Sequence, residues 1–321
     1  MDVIKNRIID PFAVMKSDFK HSNYRLGIVR FFDSLLRNLP FSKTISKRKH
    51  DIIIKKLEND YSFVLDKYKK YNVETDYSSK SPVWVCWFQG IENAPPLVKI
   101  CVNSIKKATN HPVNIISNDN IPKYIAFPDY ILEKYNHGLI TNAQYSDIVR
   151  MALLSEYGGL WIDATIFVPE SIPEDVFFHE FYTCKRDLHS DSYISDYRWT
   201  SFLNGCQYGC VVQKAMCDLF FEYWKKENYL IDYLLVDYFM EVLYRNNPTV
   251  KRLVDELPYN NSMIDYLQAI LNEEYNEKEY KELVGSDDTF LFKLSWRMRF
   301  EEETNNGKPT FFCFFIKNFE N

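Results

Sequence analysis

From residue 83 onward, short apolar runs alternate with longer stretches whose apolar positions recur every three or four residues. Runs of the first kind predict buried strands, and stretches of the second kind predict helices packed on them. Val83–Phe88 reads as a strand, and Pro95 opens a helix to about Ala108, with proline at a first-turn position that suits it. Val113–Ser117 is a second strand, and a loop with a short helix fills Ile121–Tyr135. Thr141 can cap a strong helix through Tyr157, which Gly158 and Gly159 close. Leu160–Asp163 follows as a strand and continues after a turn to Val168. Strand, helix, strand, helix, strand predicts an α/β fold with a largely parallel sheet. Further on, Glu180–Cys184, Trp199–Leu203 and Pro309–Ile316 read as strands, and Val211–Lys226, Ile231–Tyr244, Thr249–Glu256 and Met263–Asn272 as extra C-terminal helices.

Residues 1–80 read as a separate helical extension ahead of a domain at 81–321. Over Arg25–Leu39 the residues Ile28, Phe32, Leu35 and Leu39 share one face with Val29 and Leu36 beside it, while Arg30, Asp33 and Arg37 lie opposite. Pro40 stops that helix, Lys43, Lys47, Arg48 and Lys49 follow, a second helix is expected from Asp51 to about Tyr71, and Thr75–Pro82 reads as a linker. Two readings of the first helix stay open. It lies on an anionic membrane through residues 24–49, or it packs on the main domain with its charges in solvent.

Charge sharpens this division. Residues 1–50 hold 11 Lys and Arg against 4 Asp, a formal +7, which leaves −12 on the other 271 residues of the 321. A basic head on an acidic body argues against general nucleic-acid binding and for one localised anionic partner. Seven cysteines without paired CxxC spacing are expected to be reduced and mostly buried. The six histidines show no metal-ligand spacing. No apolar run reaches membrane-span length, and no secretion signal opens the chain, so the expected location is cytoplasmic, peripheral on the inner face of the cytoplasmic membrane.

The segment richest in chemistry is Asn142–Phe167. Asp147 and Arg150 stand three apart and face the same way on a helix. Asp163 falls at the carboxyl end of the following strand, where open α/β sheets bind ligands. Such a carboxylate beside an Asp/Arg pair can hold sugar hydroxyls, and the arginine can neutralise phosphate. On spacing alone, a structural ion pair at Asp147 and Arg150 with Asp163 as a loop cap is the better explanation of the same residues.

The run S-D-I-V-R-x-x-x-L-x-x-Y-G-G-L-W-I-D-A-T, Ser146 to Thr165, resembles the sugar-nucleotide signature of the capsular polysaccharide synthesis glycosyltransferases. These are relatives of certain mannosyltransferases and of the clostridial glucosylating toxins. The resemblance runs from about Pro82 to the C-terminus and implies a GT-A fold, a Rossmann-like nucleotide-diphospho-sugar transferase. It implies a UDP-sugar donor, held by Asp147, Arg150, Asp163 and Thr165. In the first strand it implies that Trp87 or its neighbour stacks on the base and that the backbone near Val85 bonds the base edge. In Phe292–Trp296 it implies that Ser295 and Trp296 touch phosphate and sugar, with Lys293 as a point charge. Trp84 alternates with Val83 and Val85 and reads as core. Trp199, Thr200 and Asn204 occupy the place of acceptor contacts. Asp237 either points to the anomeric centre or is an ordinary helix-surface acid.

The usual D-x-D triplet puts its second carboxylate on Mn²⁺ or Mg²⁺, whereas here that position is Thr165. Two arrangements follow. Asp163 holds a divalent metal with help from Asp287 or Asp288, or Lys293 and Arg150 neutralise the leaving diphosphate without one. The expected activity is transfer of a hexose, with retention of configuration, to a hydroxyl of a glycan carried on undecaprenyl diphosphate. Asp163, Arg150, Asp237 and Lys293 are its catalytic candidates. The competing readings are a haloacid-type phosphatase, which wants a second acid where Thr165 stands, and a non-catalytic sugar-nucleotide-binding scaffold.

Overall fold

The computed structural model describes residues 11–21, 23–36, 42–71 and 81–319. In chain order its helices are α1 (Pro11–Lys20), α2 (Tyr24–Leu35), α3 (Ser42–Asp60), α4 (Ser62–Lys69), α5 (Pro96–Lys107), α6 (Asp129–Asn136), α7 (Asn142–Tyr157), α8 (Val211–Lys226), α9 (Leu235–Asn246), α10 (Pro248–Glu256), α11 (Tyr266–Ile270), α12 (Glu277–Val284) and α13 (Phe311–Phe319). Its strands are β1 (Val83–Cys86), β2 (Val113–Ile116), β3 (Gly159–Ile162), β4 (Ile166–Phe167), β5 (Phe181–Thr183), β6 (Leu203–Cys206) and β7 (Phe292–Lys293).

The main sheet has the order β2-β1-β3-β6-β5. The first three strands run parallel, as the alternation of strands and helices requires. The far half corrects the expectation of a largely parallel sheet, because β6 runs antiparallel to both β3 and β5. The inner strands are apolar on both faces because both faces are covered. Trp84 and Trp161 join the core beneath α7, α8 and α9, while Val83, Val85, Leu160 and Ile162 point to the opposite core beside α5. Trp84 is core as expected, its indole N–H donating to the Gly158 carbonyl at 3.0 Å.

α7 and β3 set the site. Thr141 caps α7, its hydroxyl accepting from the Gln144 N–H. Gly158 and Gly159 then take φ of +65° and +94° to reverse the chain into β3. Glycine is required there, since a Cβ on Gly159 would lie 2.1 Å from the Pro82 carbonyl oxygen. After β3 the chain leaves the main sheet. Asp163, Ala164 and Thr165 cross to β4, which pairs with β7 in a small antiparallel sheet that places Ile166 opposite Lys293.

Five other expectations are corrected. Pro309–Ile316 is not a strand: Thr310 caps helix α13 through the Cys313 N–H, and Phe311, Phe312, Cys313 and Phe315 are buried. An all-apolar run carries no periodicity to separate helix from strand. The expected strand from Trp199 is displaced to β6, and the expected helices at Ile231 and Met263 begin only at Leu235 and Tyr266. The helix expected over Asp51–Tyr71 is two, broken at Tyr61, and the first begins at Ser42.

Both helices share the core of the main body, with Ile53, Ile54, Leu57, Tyr61, Val64, Leu65 and Tyr68 packed in the same cluster as α8 and α9. α2 is turned the other way from an ordinary amphipathic helix. Its Arg30 pairs with Asp18 and Asp232 at 3.0 Å and donates to the Ile231 carbonyl, and its Asp33 pairs with Lys49. Ile28, Phe32 and Leu35 are left 46%, 45% and 61% exposed. Leu39 and Pro40, and Thr75–Lys80 of the expected linker, lie outside the described residues. Among the described residues no helix is long and apolar enough to cross a membrane.

Replacing Gly159 with Ala is expected to lower unfolding stability by about 2–4 kcal/mol, from left-handed strain and the clash with Pro82 together. Urea denaturation of the two proteins side by side checks this. An unchanged midpoint would refute the turn's requirement.

Candidate active site

The carboxyl ends of β1 and β3 open into a cleft of about 290 Å³. Cys86 and Trp87 line it from β1, Ser146, Asp147 and Arg150 from α7, Asp163 and Thr165 from the crossing after β3, and Asp237 from α9. At its floor the buried Arg150 guanidinium donates to Asp147 Oδ1 at 2.6 Å and to Asp163 Oδ1 at 3.3 Å. It also lies 4.9 Å over the Trp161 ring, whose indole N–H donates to the same Asp163 oxygen at 2.9 Å. The helix spacing thus puts Asp147 and Arg150 together, and the glycine turn brings Asp163 to them. From behind the cleft's lining, to which it does not itself belong, Lys293 Nζ reaches Thr165 Oγ1 at 2.5 Å and Asp163 Oδ2 at 3.4 Å.

Trp87 and Trp296 meet edge to face at the cleft, with centroids 5.9 Å apart. The Trp87 indole N–H and Arg150 Nε are buried without a hydrogen-bond partner. Buried donors of this kind are ordinarily paired, and both belong to residues that line the cleft.

Other expected site residues stand elsewhere. At Val85 the expectation concerns the backbone alone; the side chain is buried within β1 and does not line the cleft. Ser295 does not line it either, and its N–H donates to Gln268 Oε1. Trp199, Thr200 and Asn204 form the wall behind it. The Asn204 amide donates to the Thr200 and Ser201 carbonyls, the Thr200 N–H donates to the Thr183 hydroxyl, and the Trp199 indole N–H donates to Asp237 Oδ1 at 3.0 Å. In their place the cleft receives Ser201, Tyr233, Leu234 and Val236. Ser201 lies between the expected Thr200 and Asn204, and no signal in the sequence singled out the other three. Asp237 faces the cleft and is not a helix-surface acid.

A sequence profile of the family described as "Capsular polysaccharide synthesis protein" matches residues 36–313. The chain belongs to the capsular polysaccharide synthesis family. One curated relative, O-glycosyltransferase braB of Annulohypoxylon truncatum, is 31% identical over 101 residues, which cover 28% of this chain and 24% of that protein. The chain thus matches about a quarter of that relative's length. Among solved structures, the PaToxG glycosyltransferase aligns with a TM-score of 0.37 at 14% identity, over 75% of this chain and 94% of that one.

A divalent metal does not fit the donor set that this member of the capsular polysaccharide synthesis family presents. Such ions take several hard oxygen ligands. Asp163 is the only carboxylate of its triplet, one oxygen receives two N–H donors, and an ammonium stands 3.4 Å from the other. Asp288 is occupied by Ser262, Ser286 and Thr289, and neither Asp287 nor Asp288 lines the cleft. Among the described residues no group of three or more His, Cys, Asp or Glu is placed to hold a metal.

Burial pushes the Asp147 carboxyl up to about 6, against the downward pull of Arg150. Burial, then the Asp147 charge, pushes Asp237 up to about 7, with the Trp199 N–H opposing. A carboxyl whose pKa is raised on folding stabilises the native state below its unfolded pKa. That stability is lost as pH rises through the folded value. Asp237→Asn keeps the acceptor for Trp199 and removes the charge. Its stability relative to the parent is therefore expected to improve by up to about 4 kcal/mol as pH rises from about 4 to about 8. Thermal melts across that range check it, and a pH-independent difference would refute the raised pKa.

Proposed function

We propose that the protein is a glycosyltransferase of the GT-A type. It moves a hexose from a UDP-sugar to a glycan hydroxyl in cell-surface polysaccharide synthesis, with retention of configuration. The observation that carries this is the Arg150 guanidinium, held between Asp147 and Asp163 at the floor of a cleft that opens at the carboxyl ends of parallel strands. Breaking a sugar–phosphate bond places developing charge on the leaving diphosphate, and fixed cations and N–H dipoles aimed there lower the barrier. Arg150 and Lys293 are those cations. Asp163, oriented by Trp161 and Arg150, accepts hydrogen bonds from sugar hydroxyls. The two tryptophans offer ring faces and edges to the base. The departing phosphate oxygen takes the acceptor's proton, so the step needs no separate base.

We place the acceptor on a lipid, undecaprenyl diphosphate, at an anionic membrane surface. The outward apolar face of α2, with Phe12 and Tyr24 also exposed, and the exposed cations Lys43, Lys47 and Arg48 support this. A cytoplasmic location follows from the same reading.

A ligand that binds only the native state raises its melting temperature. UDP, or one UDP-sugar, is expected to raise that of the parent by several degrees and that of Asp163→Ala much less. The same variant is expected to lose roughly 100-fold or more in kcat/KM. A shift without transfer to any acceptor would favour a non-catalytic donor-binding scaffold, and no shift with any nucleotide would sink the donor reading. Phe32→Glu with Leu35→Glu is expected to reduce sedimentation with anionic phospholipid vesicles several-fold. Unchanged sedimentation would remove α2 from the membrane reading.

A further inference from the structure

Lys293 is held as firmly as the floor of the cleft. Its N–H donates to the Ile264 carbonyl at 2.8 Å, and the next residue's N–H donates to the Thr165 carbonyl at 2.9 Å. The pairing of β4 with β7 fixes it opposite Ile166, one residue beyond Thr165. Its ammonium lies 2.5 Å from the Thr165 hydroxyl, 3.4 Å from Asp163 and 5.4 Å from the Phe202 ring centre. A divalent ion on Asp163 would have to sit within roughly 2.0–2.6 Å of its oxygen. It would then stand against this ammonium, with the Arg150 guanidinium on the carboxylate's other oxygen.

Charge counting points the same way. A second carboxylate carries −1 and the divalent ion it binds carries +2, so the pair adds +1 to a donor site. Thr165 is neutral and Lys293 is a cation, and together they also add +1. The hydroxyl at position 165 serves the lysine as an acceptor in the way a carboxylate serves a metal.

We propose that the Lys293 ammonium, seated on Thr165 and Asp163, takes the place of a divalent metal and binds the donor's diphosphate directly, so that the site works without a metal. This rests on the donor reading above. Lysine is suited to the task, being a compact point charge on a flexible stem with three donors. Two of these can stay on Thr165 and Asp163 while the third reaches a phosphate oxygen.

Calorimetric titration of the full chain with UDP, in EDTA and then with Mg²⁺ or Mn²⁺, tests this without reliance on turnover. The Kd is expected to agree within about twofold between the buffers. Lys293→Ala is expected to weaken UDP at least tenfold with no recovery on adding metal, and Lys293→Arg, which keeps the charge, is expected to fall between. The double variant Thr165→Asp with Lys293→Ala restores the two-carboxylate arrangement and is expected to regain UDP affinity only when Mn²⁺ is present. That gain keeps the test decisive if the single alanine variant folds poorly. UDP binding that vanishes in EDTA and returns with metal would overturn the proposal, as would equal affinity in the parent and a folded Lys293→Ala. Absence of UDP binding in every buffer would instead overturn the donor reading, and this inference with it.

Discussion

Everything in the cleft is arranged around one buried cation. Arg150 is almost fully enclosed, and an enclosed charge must be paired or the desolvation cost is not recovered. Its partners come from two elements, Asp147 from its own helix and Asp163 from the end of β3. The helix and the strand are therefore locked at one angle by electrostatics as well as by packing. The Trp161 ring beneath the guanidinium and the indole N–H on Asp163 leave the carboxylate little freedom to turn. Removing both acids would strand the arginine charge, a loss on the order of 3–5 kcal/mol for buried pairs in general, whereas removing one leaves the other to pair it. The same enclosure strengthens the arginine's field at the cleft, since less water screens it.

The second constraint is the chain's exit from the main sheet. A strand that ran straight on from Ile162 would carry Thr165 along the main sheet. The turn closed by the Ile166 N–H on the Asp163 carbonyl instead starts a small sheet with β7. This is how a lysine 130 residues from Asp163 in sequence comes to share its carboxylate. The two groups owe their meeting to strand register, and a one-residue slip would turn Lys293 to the other face.

What the sequence disclosed divides along this line. The cap at Thr141, the Asp147/Arg150 spacing, the Gly158–Gly159 reversal and Asp163 at a strand end are all local, set within about two dozen residues. They were legible because each obeys a short-range rule. The inward-facing Arg30, the antiparallel turn of β6 and the helix at Phe311 depend on partners far away. Arg30 meets Asp232 two hundred residues on, which no periodicity records. The wall behind the cleft shows the same limit. Trp199, Thr200 and Asn204 lie in the right segment, yet only the fold shows that they spend their polar atoms on Asp237, Thr183 and the local backbone. It is Ser201 that reaches the cavity.

Asp237 joins both constraints. Its carboxyl is raised by burial and by the charge of Asp147, while Arg150 draws it down. On the proposed donor reading, a dianionic diphosphate entering the cleft adds negative charge close to both acids and raises them further. Asp237, already pushed up to about 7 before any ligand arrives, is then drawn further toward its protonated form in the donor complex. A protonated acid can donate a hydrogen bond where a carboxylate would repel phosphate. The Trp199 indole holds one of its oxygens, which leaves the other to face the cleft. On that reading the cleft carries less negative charge once the donor is bound, which reduces the positive charge the donor's phosphates require of it.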